Sequence, residues 1–132
     1  MNRRSLLAAA PAILAAGVGV TGIAAAPPSR DAELIATCAE HIVNLKTYNR
    51  DGGYLECADD PLWHVYERTL DAIDDAKPHT VEGMLAKARA AKAEALQLDG
   101  SDNWQNGVAA RWAGDLVCDL LAGAVDVVGR QA

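Results

Sequence analysis

The chain has 132 residues, enough for one domain, and carries 12 basic against 18 acidic side chains, a net charge of −6. Hydrophobic residues make up 51% of it, which is too many for a chain that is disordered throughout. The acidic balance argues against a nucleic-acid binder with a broad basic surface, and three cysteines are too few for a disulfide scaffold.

Residues 1–25 predict an export signal. Arg3 and Arg4 precede Leu6 and Leu7 with one residue between the pairs, as in twin-arginine signals, although Asn2 replaces the usual Ser or Thr. Residues 6–26 are uncharged and rich in Ala and Gly, which is typical of the weakly apolar core of such signals. A general secretory signal has a similar composition, so the export route stays open.

The end of this segment predicts where the signal is removed. Ala24-Ala25-Ala26 fits the small-residue pattern of signal peptidase, but Pro27 disfavours cleavage after Ala26. We therefore expect cleavage after Ala24 or Ala25 and a periplasmic or secreted protein, which meets the membrane only through this segment. Two alternatives remain: an uncleaved inner-membrane anchor, since residues 6–26 at about 1.5 Å each span about 30 Å, and a cytoplasmic protein with a misassigned start.

The first helix is predicted from about residue 29 to residue 48. Pro27-Pro28 prevents a helix upstream, and Ser29 or Asp31 can cap its start. Asp51-Gly52-Gly53 stops it and opens the longest connection, residues 49–59. Its apolar stripe repeats every three or four residues and consists of Leu34, Ile35, Cys38, Ile42 and Leu45.

The second and third helices are marked by their boundaries. Asp60-Pro61 is a capping residue followed by proline at the first helical position, and Pro78 ends this helix. Thr80 starts the alanine-rich third helix, Glu82 lies favourably in its first turn, and Asp99-Gly100 stops it. The apolar stripes are Trp63, Tyr66, Leu70 and Ile73 on the second helix and Met84, Leu85, Ala88 and Leu96 on the third.

The fourth helix is predicted from about residue 104 to residue 128, with a stripe of Val108, Trp112, Leu116, Leu120 and Ala124. Four helices with short connections indicate an all-α fold, a small four-helix antiparallel bundle over residues 29–128, preceded by the signal-like segment. The expected core consists of Leu34, Ile42, Trp63, Leu70, Ile73, Leu85, Trp112, Leu116 and Leu120.

Helices two to four carry a family resemblance. The matching motifs are Pro61-Leu62-Trp63, Tyr66-Glu67-Arg68-Thr69, Asp71-Ala72-Ile73, Pro78, Thr80, Gly83-Met84, residues 86–95 and Asp115-Leu116-Val117-Cys118-Asp119-Leu120-Leu121. Over residues 31–121 the chain resembles a family of small uncharacterised helical proteins from α-proteobacterial genomes, often in phage-like neighbourhoods. The resemblance implies no activity, ligand or catalytic residue. Members of that family often lack an export signal, which supports the cytoplasmic alternative.

Cys38 and His41 are the only weak metal-ligand candidates, because a thiol and an imidazole three residues apart share one helix face. Further ligands would have to come from Cys57 or His64, so we expect no metal or other cofactor and interpret the pair as a buried thiol beside a histidine. Among the thiols, the sequence predicts Cys38 and Cys118 buried and Cys57 reactive, with a Cys38–Cys118 disulfide as the alternative.

The other polar motifs have ordinary interpretations. Glu67, Asp71, Asp74 and Asp75 predict a solvated acidic face rather than an acid–base or metal site. Residues 99–103 predict a turn, since a calcium loop needs glycine where Trp104 stands. The positions of Lys87, Arg89 and Lys92 form no continuous phosphate-binding stripe. Trp104, at a helix start, is the tryptophan that we expect to mark an exposed contact surface.

No nucleotide-binding, metalloprotease or nucleophile-elbow motif occurs in the sequence, so no catalytic residue is assigned. We therefore expect a non-catalytic, exported helical binding or accessory protein that contacts a protein partner and no nucleic acid. The alternatives are a small metal- or ligand-binding protein and a cytoplasmic, phage-derived accessory protein.

Overall fold

The computed structural model of the chain describes residues 27–50 and 59–123. These ranges contain four α-helices and no strand, which confirms the expected all-α four-helix bundle. The helices are α1 (Ala32–Arg50), α2 (Pro61–Asp75), α3 (Val81–Ala95) and α4 (Gly107–Leu121). The signal-like segment, the connection from residue 51 to residue 58 and the last nine residues lie outside the described ranges.

Side-chain caps start the last three helices. The Asp60 carboxylate accepts a hydrogen bond from the Leu62 amide at 2.8 Å, and the Thr80 hydroxyl accepts one from the Gly83 amide at 3.1 Å. Both predicted caps are confirmed, because each side-chain oxygen satisfies an amide that has no partner within the helix. The Asn106 side chain caps α4, so this helix begins at Gly107, later than expected.

Two of the predicted helix ends are wrong. The third helix ends at Ala95, before the expected Asp99-Gly100 stop, and a turn with Gly100 at a φ of +84° leads to α4. The fourth helix ends at Leu121 rather than near residue 128. Gly123 has a φ of +69°, the left-handed conformation that commonly closes a helix, and the Ala122 amide donates back to the Cys118 carbonyl.

The helices run up and down in sequence, with α1 packed on both α2 and α3 and with α4 packed on α3. Consecutive helices are antiparallel, whereas α1 and α3 are parallel. Their starts meet where the Asp31 carboxylate accepts hydrogen bonds from the His79 and Thr80 amides and the Thr80 hydroxyl, at 2.7–2.8 Å. We call this contact the Asp31 clasp.

The Asp31 clasp requires a glycine on α3. A Cβ placed on Gly83 would lie 2.1 Å from Oδ2 and 2.8 Å from Cβ of Asp31, far inside van der Waals contact. Beyond it, α1 and α4 pack against small side chains of α3, which are Ala86, Ala90, Ala91 and Ala95. Close approach of helices therefore replaces the large aromatic core that the composition lacks.

The core lies where α1, α2, α3 and α4 converge. Of the predicted core residues, Leu34, Ile73, Trp112 and Leu116 are buried, and Ile42, Trp63 and Leu70 are partly buried. The prediction was wrong for Leu85 and Leu120, which are 48% and 47% exposed. The buried face of α3 is its alanine ridge, and this rotates Leu85 toward solvent.

Candidate functional site

A hydrogen-bonded polar cluster lies inside the bundle and joins three helices. On α1, His41 places Nδ1 2.8 Å from the Thr69 hydroxyl of α2 and Nε2 2.8 Å from Oε1 of Glu94 on α3. His41 and Thr69 are 0% exposed, and Glu94 is buried as well. The Tyr66 ring packs on His41 at a centroid distance of 5.3 Å, and the Trp112 ring meets it edge-on at 5.2 Å.

The order hydroxyl, imidazole, carboxylate is that of a catalytic triad, but these three groups have no access to a substrate. The Thr69 hydroxyl also lies 2.8 Å from the Val65 carbonyl of its own helix, which anchors it in place. A buried imidazole with both nitrogens hydrogen-bonded fixes the register of the helices that supply its partners. We therefore assign this cluster a structural role.

The two aromatic residues packed on His41, Tyr66 of α2 and Trp112 of α4, have polar contacts of their own. Burial raises the pKa of the Tyr66 phenol, and the nearby Glu94 carboxylate raises it further. The Trp112 indole N–H donates to Asp74 of α2, and Arg111 donates to both oxygens of the same carboxylate at 3.0 and 2.7 Å. The prediction of a solvated acidic face is therefore wrong for Asp74, which links α2 to α4.

The structure brings the candidate ligands Cys38 and His41 onto the same buried face of α1, but in separate surroundings. Cys38 lies in the hydrophobic core, and burial raises the pKa of its thiol to about 11, which keeps it protonated at neutral pH. Among the described residues, no three His, Cys, Asp or Glu side chains are grouped so as to hold a metal ion. Cys57 lies outside those residues, and His64 is exposed.

The thiol prediction is corrected for Cys118. It is exposed, whereas Cys38 is buried, and both are free, so the alternative disulfide between them is absent. On the helical wheel Cys118 lies far from the Trp112–Leu116 stripe that faces the core. The predicted reactivity of Cys57 concerns a residue outside the described ranges.

Residues 99–103 form the predicted turn, and the three basic residues of α3 point in different directions. Residues 99–103 form a turn in which the Asp99 carboxylate accepts from the amide and hydroxyl of Ser101. The basic residues of α3 face different ways: Arg89 and Lys92 are exposed, whereas Lys87 is 1% exposed. The Lys87 ammonium donates to the Ala76 carbonyl at 3.0 Å and lies 3.5 Å from Asp115.

Large aliphatic side chains are exposed on α3 and α4. At 100° per residue, Leu85 lies about 60° from Ala88 on α3 and Leu120 about 40° from Leu116 on α4. They flank the contact in which Leu116 of α4 meets Met84 and Ala88 of α3. We define the α3–α4 face as Val81, Leu85, Val117, Leu120 and Leu121, of which Leu121 is the most exposed at 83%. Trp104 is also exposed, as predicted, but it belongs to the turn before α4.

Sequence reasoning missed the α3–α4 face because it assigned Leu85 and Leu120 to the core. The available signal was that α4 is apolar on more than one side, whereas a helix on a bundle surface usually has a single apolar stripe. Val117 and Leu121 lie about 140° and 180° around the helix from Trp112 at 100° per residue, so they mark a second apolar side of α4.

The export-signal residues Arg3, Arg4, Leu6 and Leu7 and the cleavage residues Ala24 and Ala25 lie outside the described residues. None of the four described helices combines the length and the apolar composition that a membrane span requires. The signal prediction therefore depends on sequence alone.

Comparisons with family models, with curated proteins and with solved structures yield no match for this chain. The resemblance of residues 31–121 to the α-proteobacterial family stays a prediction.

Proposed function

We propose that the protein is a non-catalytic, exported helical module that works by binding another protein through the α3–α4 face. The observation that carries this proposal is that the reactive side chains of the polar cluster are buried, whereas the aliphatic side chains of the α3–α4 face are exposed. In the polar cluster, the His41 imidazole is hydrogen-bonded to the buried Thr69 hydroxyl and Glu94 carboxylate. In contrast, Val117, Leu120 and Leu121 are exposed to solvent.

The size of the α3–α4 face supports a binding role. From their fractional exposures, its five residues present roughly 500 Å² of surface, within the roughly 300–600 Å² of the largest apolar patch on a typical monomeric protein. Patches of this size are commonly binding sites, because covering them removes apolar surface from water.

Site-specific photo-crosslinking in the native host tests the binding role. A photoreactive side chain at Leu121 or Val117 is expected to give protein adducts, because these positions lie in the proposed interface. Val43 on α1 is the matched control, since it is an exposed aliphatic residue on another helix, at 65%. Equal adduct yields at Val43 and Leu121, or no adducts at either, would contradict the proposal.

Export is supported by the paired Arg3-Arg4 ahead of the uncharged residues 6–26. Fusing residues 1–35 to a reporter that is active only outside the cytoplasm is expected to give activity. The double substitution Arg3→Lys with Arg4→Lys should abolish the activity on the twin-arginine route and leave it on the general secretory route. An inactive unmutated fusion would refute export and favour the cytoplasmic accessory protein.

A further inference from the structure

The fourth helix carries a second apolar stripe opposite its core-facing stripe. At 100° per residue, the second stripe lies on the side away from Trp112 and Leu116. Its members repeat every three or four residues, and all are exposed: Gly107, Ala110, Gly114, Val117 and Leu121. A helix that is apolar on opposite sides is normally enclosed on both. Within the described chain, α3 and the end of α2 cover only one side of α4.

The two glycines of this stripe have no role within the described chain. Neither has a positive φ, and a Cβ added to Gly107 or Gly114 would meet nothing within 4 Å. Glycine inside a helix costs about 1 kcal/mol relative to alanine, so the fold itself would favour alanine at Gly114. What glycine provides at such a place is close approach of another backbone.

We propose that the occupant of the α3–α4 face is a second copy of this chain, with the two α4 helices crossing antiparallel at Gly114. This inference rests on the proposed function and names the partner of the same surface. The stripe is small at its start and large at its end, with Gly107 and Leu121 each seven residues from Gly114. Around a two-fold axis at Gly114, Leu121 of one copy therefore lies over Gly107 of the partner subunit.

This self-pairing satisfies the requirement of a two-fold contact, in which one surface must complement itself. Val117 of one copy fits beside Ala110 of the partner subunit, so a large side chain again meets a small one. Antiparallel helix dipoles attract each other, and the second stripe contains no charged residue. The nearby charges are already paired within the chain, Arg111 with Asp74 and Asp115 with Lys87.

The available area also suits a second copy. The roughly 500 Å² exposed by the five residues of the α3–α4 face, enlarged by the exposed Ala110 and Gly114, corresponds to a small two-fold contact, below the roughly 800 Å² per subunit of a standard protein–protein interface. Val81 and Leu85 of α3 are 40% and 48% exposed, so α3 as well as α4 presents aliphatic side chains to solvent.

Sedimentation equilibrium of the full chain tests the pairing. The unmodified protein is expected at twice the chain mass, and Val117→Asp is expected to weaken the dimer about 100-fold, because it places an unpaired carboxylate in the contact. Val43→Asp makes the same chemical change on α1 and should leave the dimer intact. The N-terminal segment is common to all three proteins and cannot explain a difference. Equal weakening by both changes would overturn the proposal.

A cysteine at Gly114 tests the crossing point. In a background of Cys57→Ser and Cys118→Ser, Gly114→Cys should form a disulfide-linked dimer on mild oxidation. The added Cβ atoms weaken the contact, but the two Cα atoms stay within the roughly 7 Å that a disulfide requires, and oxidation traps the pairs that form. Asp71→Cys, exposed on α2, is the control and should stay unlinked. Equal linkage of both variants would overturn the proposed geometry.

The two proposals fail separately. A monomeric full chain whose Leu121 adducts contain other proteins would overturn self-pairing and leave the binding role intact, whereas absence of adducts would overturn both. A monomer that dimerises only after residues 124–132 are deleted would assign the α3–α4 face to that tail and also overturn self-pairing.

Discussion

The third helix has two very different contacts, one with α1 and one with α4. Its contact with α1 is fixed by polar groups, the Asp31 clasp at one end and the His41–Glu94 hydrogen bond toward the other. Its contact with α4 has Met84 against Leu116, with the Lys87–Asp115 ion pair to one side and exposed aliphatic side chains to the other.

The contact of α3 with α1 therefore specifies the fold, whereas the apolar surface beside the contact of α3 with α4 remains available to bind a further surface. Hydrogen bonds between buried groups permit one register, because any shift leaves a donor or acceptor unsatisfied. Apolar contacts are non-directional, and so a further apolar surface can add to them. The polar contact should therefore be sensitive to small substitutions, whereas the exposed aliphatic side chains beside the apolar contact should tolerate them in the monomer.

The largest effect is expected from Gly83→Ala. The added Cβ would displace the Asp31 carboxylate from its three donors, and we expect a loss of about 3–5 kcal/mol in the free energy of unfolding. Urea unfolding followed by circular dichroism measures it. In an Asp31→Gly background the same substitution should cost much less, since all three clashing atoms of the Asp31 side chain are then absent. A full cost in that background would show that Asp31 is not the obstacle.

The second-largest loss of stability is expected from His41→Leu. It leaves the Thr69 hydroxyl and the Glu94 carboxylate buried without their imidazole partner, so we expect a loss of about 3 kcal/mol. His64→Leu, on the exposed side of α2, is the matched control and should change stability little. Adding Glu94→Met to His41→Leu should recover part of the loss, since the buried carboxylate is then removed. Equal stability of the two leucine variants would refute the structural role.

The apolar contact is tested by Leu116→Ala, which should cost about 2–3 kcal/mol because Leu116 is buried against Met84. Leu120→Ala removes the same atoms one turn later, where the side chain is half exposed, and should cost less than about 1 kcal/mol in the monomer. Thermal unfolding at low protein concentration compares the two variants. A larger loss for Leu120 would place the core boundary one turn further along α4.

The Asp31 clasp also predicts a dependence on pH. Burial alone would raise the pKa of Asp31, but the Thr80 hydroxyl and the His79 and Thr80 amides hold it below its ordinary value of 3.8. The unfolded chain therefore binds this proton more readily, so the stabilisation is complete above the ordinary pKa and is lost as pH falls through the folded one. Asp31→Asn should cost about 1–2 kcal/mol at neutral pH and flatten this acid limb. An unchanged acid limb would contradict the assignment.

The fold class and several helix starts could be predicted from the sequence because they depend on neighbouring residues. Asp60 and Thr80 cap amides two and three residues away, so their roles are visible locally. The partners of His41 are 28 and 53 residues away, and no spacing along the chain indicates them. The register of the polar cluster is therefore a property of the tertiary packing.

The α3–α4 face could not be predicted because hydrophobic periodicity marks the largest apolar residues as the buried ones. In α3 the close approach of α1 and α4 favours alanine at the contact, which sends Leu85 outward. The same packing encloses Lys87, which looks like a surface residue in the sequence but reaches the Ala76 carbonyl. An alanine-rich helix is thus the element whose buried face is hardest to infer from size.

The smallest effect, and the one that best separates the stability of the monomer from self-association, is expected from Gly114→Ala. In the monomer the new Cβ meets nothing within 4 Å, and alanine is the better helix former, so the free energy of unfolding should rise by about 0.5–1 kcal/mol. Gly83→Ala, the same change in α3, has the opposite sign because Asp31 fills the space beside that glycine.

In the proposed dimer the Gly114 Cβ would separate the crossing helices, so Gly114→Ala should stabilise the chain at low protein concentration and weaken self-association at high concentration. Unfolding measured across a hundredfold range of protein concentration distinguishes these effects, because only association makes the midpoint depend on concentration. A gain of equal size at every concentration would show that no second backbone approaches Gly114. A loss at every concentration would show instead that the described chain itself needs this glycine.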